Sequence, residues 1–118
     1  MYKILAPVGY HVPSGAELTA LMTHLGGENY AGYKMKATTG WYPSDGIINT
    51  NSSGFTGLPN GYRQPLGEFY GIGWYGDWWS SYESSPYGKY YSLRFDFGFA
   101  EISFGSMNWG FSVRCVRD

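Results

Sequence analysis

One cysteine, Cys115, is all the chain contains, so no disulfide can form within it. Charge is also scarce: only 14% of the 118 residues are charged, and the eight Lys and Arg and nine Asp and Glu are scattered along the chain. With no basic stripe or block, nucleic acid and anionic membrane surfaces are excluded as main partners. Apolar runs are short, none nearing the roughly 18 residues of a membrane-spanning helix, and no membrane insertion is expected. The N-terminal MYKILAPVG carries one lysine and too brief an apolar run to read as a signal peptide. No internal repeat or linker divides the chain. Its length suits a single domain over 1–118, alone or as part of a larger chain, and suffices to bury a core without staples.

Rings and glycines are plentiful instead. Aromatics are 20% of the chain and glycines number 18, a mixture that suits short strands and tight irregular loops rather than a helical bundle. Disorder is excluded, since it would be poor in aromatics.

The spacing predicts one helix over about 14–25. Ser14 and Glu17 fit a capping box, Leu18, Leu21, Met22 and Leu25 mark one apolar face, and Gly26-Gly27 stops it. Residues 30–75 show no sustained period and are punctuated by glycine and proline. Trp41, Phe55, Leu58, Tyr62, Phe69 and Trp74 are expected to pin this long glycine-rich loop region with their own side chains. Strands return after Asp77: a buried strand at 78–81, then 91–97, about 100–104 and 110–116. They form an antiparallel set with turns near Gly88, Gly98 and between Gly105 and Asn108. The fold class is therefore α+β.

Little of the sequence reads as catalytic, and no enzymatic activity, metal or cofactor is expected. The two histidines, His11 and His24, have no cysteine or carboxylate partners at metal-ligand spacing. A structural hydrogen bond is expected for His11 and a solvated, dipole-stabilising place late in the helix for His24. Cys115 lies on the apolar side of an alternating run and is expected to be buried and inert, with Arg114 on the opposite face.

Four strings then identify a resemblance. GYHVPSGAEL (9–18), SSGFTGLPNGYR (52–63), GDWWSS (76–81) and GFSVRCVRD (110–118) occur here in the order and spacing of the Fibrobacter succinogenes major paralogous domain. The match covers about residues 6–118. That family resembles C-type lectin-like domains, in the branch shared with formylglycine-generating enzymes and the variable proteins of diversity-generating retroelements. The resemblance implies a C-type lectin-like fold whose last strands and turns present a solvent-facing binding surface. Relatives often carry a cysteine just before the first string, plausibly paired with the one in the last; here that place is Ala6-Pro7-Val8, so the bridge is absent and an oxidising compartment is put in doubt. The formylglycine chemistry needs paired cysteines that this chain lacks. Calcium-dependent sugar binding needs motifs of which Gln64-Pro65-Leu66 and Asn108-Trp109 are poor shadows. Arg63, Arg114 and Arg117, inside matched strings, are expected to tie loops to backbone carbonyls or to Asp77 or Asp118.

Within that frame, sixteen of the 28 residues from Tyr82 to Trp109 are Tyr, Ser, Gly or Phe, the vocabulary of antibody paratopes and of adenine-directed mutation of asparagine codons. Tyr91, Leu93, Phe95, Ile102, Phe111 and Val113 are expected inside. Tyr82, Tyr87, Ser92, Arg94, Asp96, Phe97, Phe99, Glu101, Phe104, Ser106, Asn108 and Trp109 are expected on a displayed, ligand-binding face, the alternative being that most of these rings fill the core. Glu83 falls at its rim. The implied function is a non-enzymatic recognition domain, a retroelement-diversified receptor-binding or surface-displayed protein of a phage particle or bacterial cell surface. Its partner would be a protein or glycan on a cell surface, and the chain a possible homo-oligomer. With charge sparse, affinity is expected to depend weakly on salt. The alternative is an extracellular domain whose rings stack on polysaccharide.

Overall fold

The computed structural model describes residues 5–118. In chain order the elements are β1 (Tyr10–His11), α1 (Gly15–His24), α2 (Glu28–Met35), β2 (Tyr62–Arg63), β3 (Phe69–Tyr70), β4 (Tyr75–Ser84), β5 (Tyr87–Arg94), β6 (Ala100–Ser106) and β7 (Val116–Arg117). β4, β5 and β6 form an antiparallel meander, while β1 pairs with β7 and β2 with β3, each antiparallel. The fold is α+β. Among the described residues no helix is long and apolar enough to cross a membrane.

α1 follows its sequence signals. The Ser14 hydroxyl accepts from the Glu17 N–H at 3.1 Å, the Glu17 carboxylate accepts from the Ser14 N–H at 3.1 Å, and Leu18, Met22 and the C-cap Leu25 are buried. α2 falls where no period was legible. Its eight residues present only Ala31, Gly32 and Met35 as a buried stripe. Gly32 shows why the helix carries a residue that weakens helices: a Cβ there would strike the carbonyl oxygens of Gly98 and Phe99. The helix therefore lies directly against the turn after β5, where the Tyr33 N–H donates to the Gly98 carbonyl at 3.1 Å.

The core sits between the helices and one face of the meander. Trp78 stacks on Tyr91 with centroids 5.3 Å apart, and Phe55 meets both rings edge-on. Leu18, Met22, Met35, Leu93 and Ala100 close around them. Because side chains alternate along a strand, Tyr91 and Leu93 point inward and Tyr90, Ser92 and Arg94 point out. Ile102 packs against the core as expected, and Phe95 is half-buried against Trp74.

Several expectations need correction. Val113 is 38% exposed and Cys115 only half-buried, because 110–116 is not a continuous strand: it touches the sheet at Gly110 and Ser112, and only β7 at its end pairs over consecutive residues. Strict alternation does not survive such isolated pairing. Gly88 lies inside β5 opposite Gly105, and the turn is at residues 85–86. Phe111 is half-buried on the outer side of the sheet. Of the six residues expected to pin the loop region, Trp41 and Phe55 reach the core and Tyr62 is half-buried, but Leu58, Phe69 and Trp74 are exposed.

Backbone bonds hold much of that region instead. Gly57 donates to Met35 O at 2.8 Å and accepts from Ala37 N at 2.9 Å, and the Trp41 indole N–H also reaches the Gly57 carbonyl at 2.9 Å. Beside it lies Lys36, fully buried. Its ammonium donates to the carbonyls of Arg94 at 2.7 Å and Phe97 at 2.6 Å, satisfying a turn that has no strand partner. Burial draws its pKa down to about 8, against the pull of nearby Asp96.

At the other end, His11 clamps the chain termini to α1. Nδ1 lies 2.6 Å from Asp118 Oδ1 and Nε2 lies 2.8 Å from Glu17 Oε2. A neutral imidazole donates from one nitrogen only, whereas the imidazolium serves both carboxylates. The hydrogen bond to Asp118, then that to Glu17, raises the His11 pKa; the Ser14 backbone bond, then His11, lowers that of Glu17.

Two tests follow from these contacts. The His11 contribution is complete below its ordinary value of 6.5 and is lost as pH rises through the raised one, while that of Glu17 is present above 4.5 and lost as pH falls through the lowered one. Melting curves of His11→Gln against the unmodified chain will therefore differ most between pH 4.5 and 6.5 and converge as pH rises past the raised His11 value. Lys36→Met, which leaves two buried carbonyls unpaired, is expected to lower unfolding free energy in urea by about 1–3 kcal/mol.

Candidate functional site

The last segment of the chain crosses the outer face of the meander, and one pair of bonds places it there. Ser112 N–H donates to the Asp77 carbonyl at 3.0 Å and its carbonyl accepts from Trp79 N–H at 2.9 Å. Two residues earlier, Gly110 and Arg63 exchange backbone bonds at 2.8 Å, tying β2 to the same segment. Trp109 and Phe111 are thereby suspended beside Tyr62, over the outward side chains of β4, β5 and β6.

The space beneath is a cleft of about 440 Å³. Its floor follows the strand register: Tyr75 opposite Arg94, then Asp77, Ser92 and Glu101 in one row, then Tyr90 opposite Ser103. Neighbouring strands run about 4.8 Å apart, so Asp77 and Glu101 flank Ser92 with backbones about 10 Å from each other. The walls are rings. Tyr62 meets Trp109 at 5.3 Å and 51° and Phe111 at 6.4 Å and 82°, and Phe111 meets Tyr90 at 4.5 Å and 43°. Set at such angles, they make a cup rather than a flat platform.

Charge in the cleft is acidic. Asp77 is 6% exposed, and burial pushes its pKa up to about 6 despite the hydrogen bond from Ser92 and the field of Arg94. Glu101 is exposed at the rim. Arg94 is the cation of the lining, yet it is shared: Nε lies 3.2 Å from Asp96 Oδ1, and the guanidinium covers Tyr75 and Phe97 at 5.2 and 4.7 Å.

Of the twelve residues expected on the displayed face, Ser92, Arg94, Glu101, Phe104 and Trp109 line the cleft. The others are dispersed. Tyr82 stands edge-on to Phe104 at 5.9 Å, with the Lys89 ammonium over both rings, and Tyr87 is exposed next to the 85–86 turn. Asp96, Phe97 and Phe99 belong to the turn anchored by Lys36 and α2, where the two phenylalanines stack at 4.5 Å and are half-buried. Ser106 and Asn108 bond to each other at 2.6 Å in the turn before Trp109. None of the twelve is fully buried.

Sequence reasoning missed Asp77, Tyr62, Tyr75, Tyr90, Ser103 and Phe111 as cleft residues. Tyr90 and Ser103 share the outward parity of Ser92 and Glu101 and could have been found that way. Tyr62 and Tyr75 arrive through long-range pairing and carried no local signal. Among the arginines, Arg114 does tie a loop, donating to the Phe55 carbonyl at 2.8 Å while covering its ring at 4.6 Å. His11 and Cys115 do not line the cleft.

Holding Asp77 ionised inside the protein is unfavourable, and the sign is testable. Its folded pKa lies above the ordinary 3.8, so the penalty is absent below that value, grows as pH rises toward 6, and is full at pH 7. A difference of this size corresponds to about 3 kcal/mol. Asp77→Asn is therefore expected to stabilise the chain by about 2–3 kcal/mol at pH 7 and by little near pH 4, measured by urea unfolding at both pH values.

Comparison with known proteins gives one result. The model of the Fibrobacter succinogenes major domain matches residues 2–117, nearly the full chain. No curated protein and no solved structure matches it. The four interlocked strings and this match agree, and the chain belongs to the Fibrobacter succinogenes major domain family.

Proposed function

We propose that this chain is a recognition domain without catalytic chemistry, whose ligand sits in the cleft over the outer face of the meander. The observation that carries the reading is the ring-walled cleft itself, which holds a buried carboxylate at a stability penalty. A strongly perturbed carboxylate set in a concavity marks a candidate functional site. Rings in such a cup supply contact area at low entropic cost, and the hydroxyls and charges on the floor supply orientation.

The finer identity rests on the resemblance. A C-type lectin-like fold, display on a phage particle or bacterial cell surface, and diversification by a retroelement are all proposals, supported by the resemblance of Trp79-Ser80-Ser81 and Val113-Arg114 to the W-S-S and V-R that frame the C-terminal segment of retroelement variable proteins. Cleft residues Tyr90, Ser92, Arg94, Glu101, Ser103 and Trp109 fall inside that frame and point away from the core, as variable contact residues need to. Retroelement diversification would show as a near-copy of the codons for 80–114, differing at adenines, beside a reverse transcriptase gene.

Binding is tested by separating the rings. Trp109→Ser is expected to leave the melting temperature within a few degrees and to weaken binding to bacterial-surface proteins and glycans arrayed on a chip by about thirtyfold, the loss of one hot-spot anchor. Phe97→Ser with Phe99→Ser, at the turn held by Lys36, is expected to lower stability and to leave the affinity of the folded fraction unchanged. Unaltered binding by Trp109→Ser would overturn the assignment of the cleft.

A further inference from the structure

We infer that the group this cleft receives is a cation, the guanidinium or ammonium of an arginine or lysine side chain on a partner protein, an inference that rests on the recognition reading above. Three features converge on it. The first is the charge balance: Asp77 and Glu101 face the cleft from β4 and β6, and the one cation of the lining, Arg94, is engaged by Asp96. The second is the ring geometry. Stacking on a polysaccharide needs rings laid flat along an open platform, whereas Tyr62, Trp109, Phe111 and Tyr90 are inclined by 31° to 82° where they meet. Inclined rings close a concave wall, and a cation seated against a ring face there gains a cation–π contact.

The third is burial. Asp77 is nine-tenths enclosed, so a positive group drawn in beside it meets little screening. The Asp77–Ser92–Glu101 row places one carboxylate on each side of a hydroxyl, enough acceptors for a fork of N–H donors. At about 440 Å³ the space is large enough for one long side chain. A side chain inserted into this cup would be the central anchor of a larger contact.

On this inference binding weakens as salt rises, though less than for exposed charges, where composition alone suggests weak salt dependence.

The test uses the full chain and small probes. N-acetyl-arginine amide and N-acetyl-lysine amide are titrated while the Trp109 indole N–H is followed by NMR. N-acetyl-citrulline amide, neutral and nearly the same shape as the arginine probe, is run beside them, together with a neutral hexasaccharide. Saturable shifts with the cationic probes are expected, about tenfold weaker with citrulline and about tenfold weaker in Asp77→Asn, the order of effect of losing one partner of an enclosed charge pair. Glu101→Gln, at an exposed position that folding does not depend on, is expected to weaken binding several-fold. Citrulline binding as tightly as arginine, or the hexasaccharide saturating Trp109 where the cations do not, would overturn the cation and leave a recognition cleft standing. If no probe moves Trp109, the cation is again overturned, and the Trp109→Ser binding comparison then decides separately whether the cleft recognises anything.

Discussion

The two backbone bonds between Ser112 and β4 determine what this molecule can present. A three-stranded meander has one face covered by helices and another left open, and an open face is a flat surface with no enclosure. By drawing the last segment across that face, the Ser112 bonds to Asp77 and Trp79 convert it into a cleft with walls. The same residue supplies both sides of the arrangement. Asp77 gives its carbonyl to the frame and its carboxylate to the floor, so the frame positions the acid without depending on its charge.

The four family strings are the joints of this frame. Asp118 N–H donates to Gly9 O at 2.9 Å and its side chain meets His11, joining the last string to the first. Ser81 N–H donates to Pro13 O at 2.8 Å, joining the third to the first, and Gly61 N–H donates to Tyr75 O at 2.8 Å, holding the second beside the third. Arg114 reaches back to Phe55. Ser80 accepts from Tyr82 N–H while donating to Lys89 O, which steadies β4 at its register shift.

How far the sequence could be read depends on whether a signal is local. α1 was legible because its cap, its apolar stripe and its stop all lie within one stretch. β5 was legible because a two-residue period survives wherever one face is buried and the other is not. α2 was hidden by its shortness and by Gly32, whose purpose lies in a turn far along the chain. The 110–116 segment was misread as a strand because its rings alternate, yet it pairs only at isolated points, and its alternation serves the outer cleft as much as the core. The displayed face was half legible on the same grounds: Ser92, Arg94 and Glu101 follow strand parity, while Tyr62 and Tyr75 are brought in by pairings that no local pattern announces. Phe97 and Phe99 lie outside the cleft for another reason. They continue the alternation of β5 in sequence but lie beyond its last residue, in a turn held by Lys36.

Trp78 and Tyr91 lie nearly parallel, 14° apart at 5.3 Å, inside a core where Phe55 abuts both. Chromophores so close exchange excitation, and their coupled transitions add optical rotation that does not come from peptide groups. The far-ultraviolet dichroism of this protein will therefore carry a band from its rings, superimposed on a weak helical signal from the two short helices of the described residues. Secondary-structure content deconvoluted from such a spectrum would be in error, and the loss of the ring band on heating would report side-chain packing separately from the backbone.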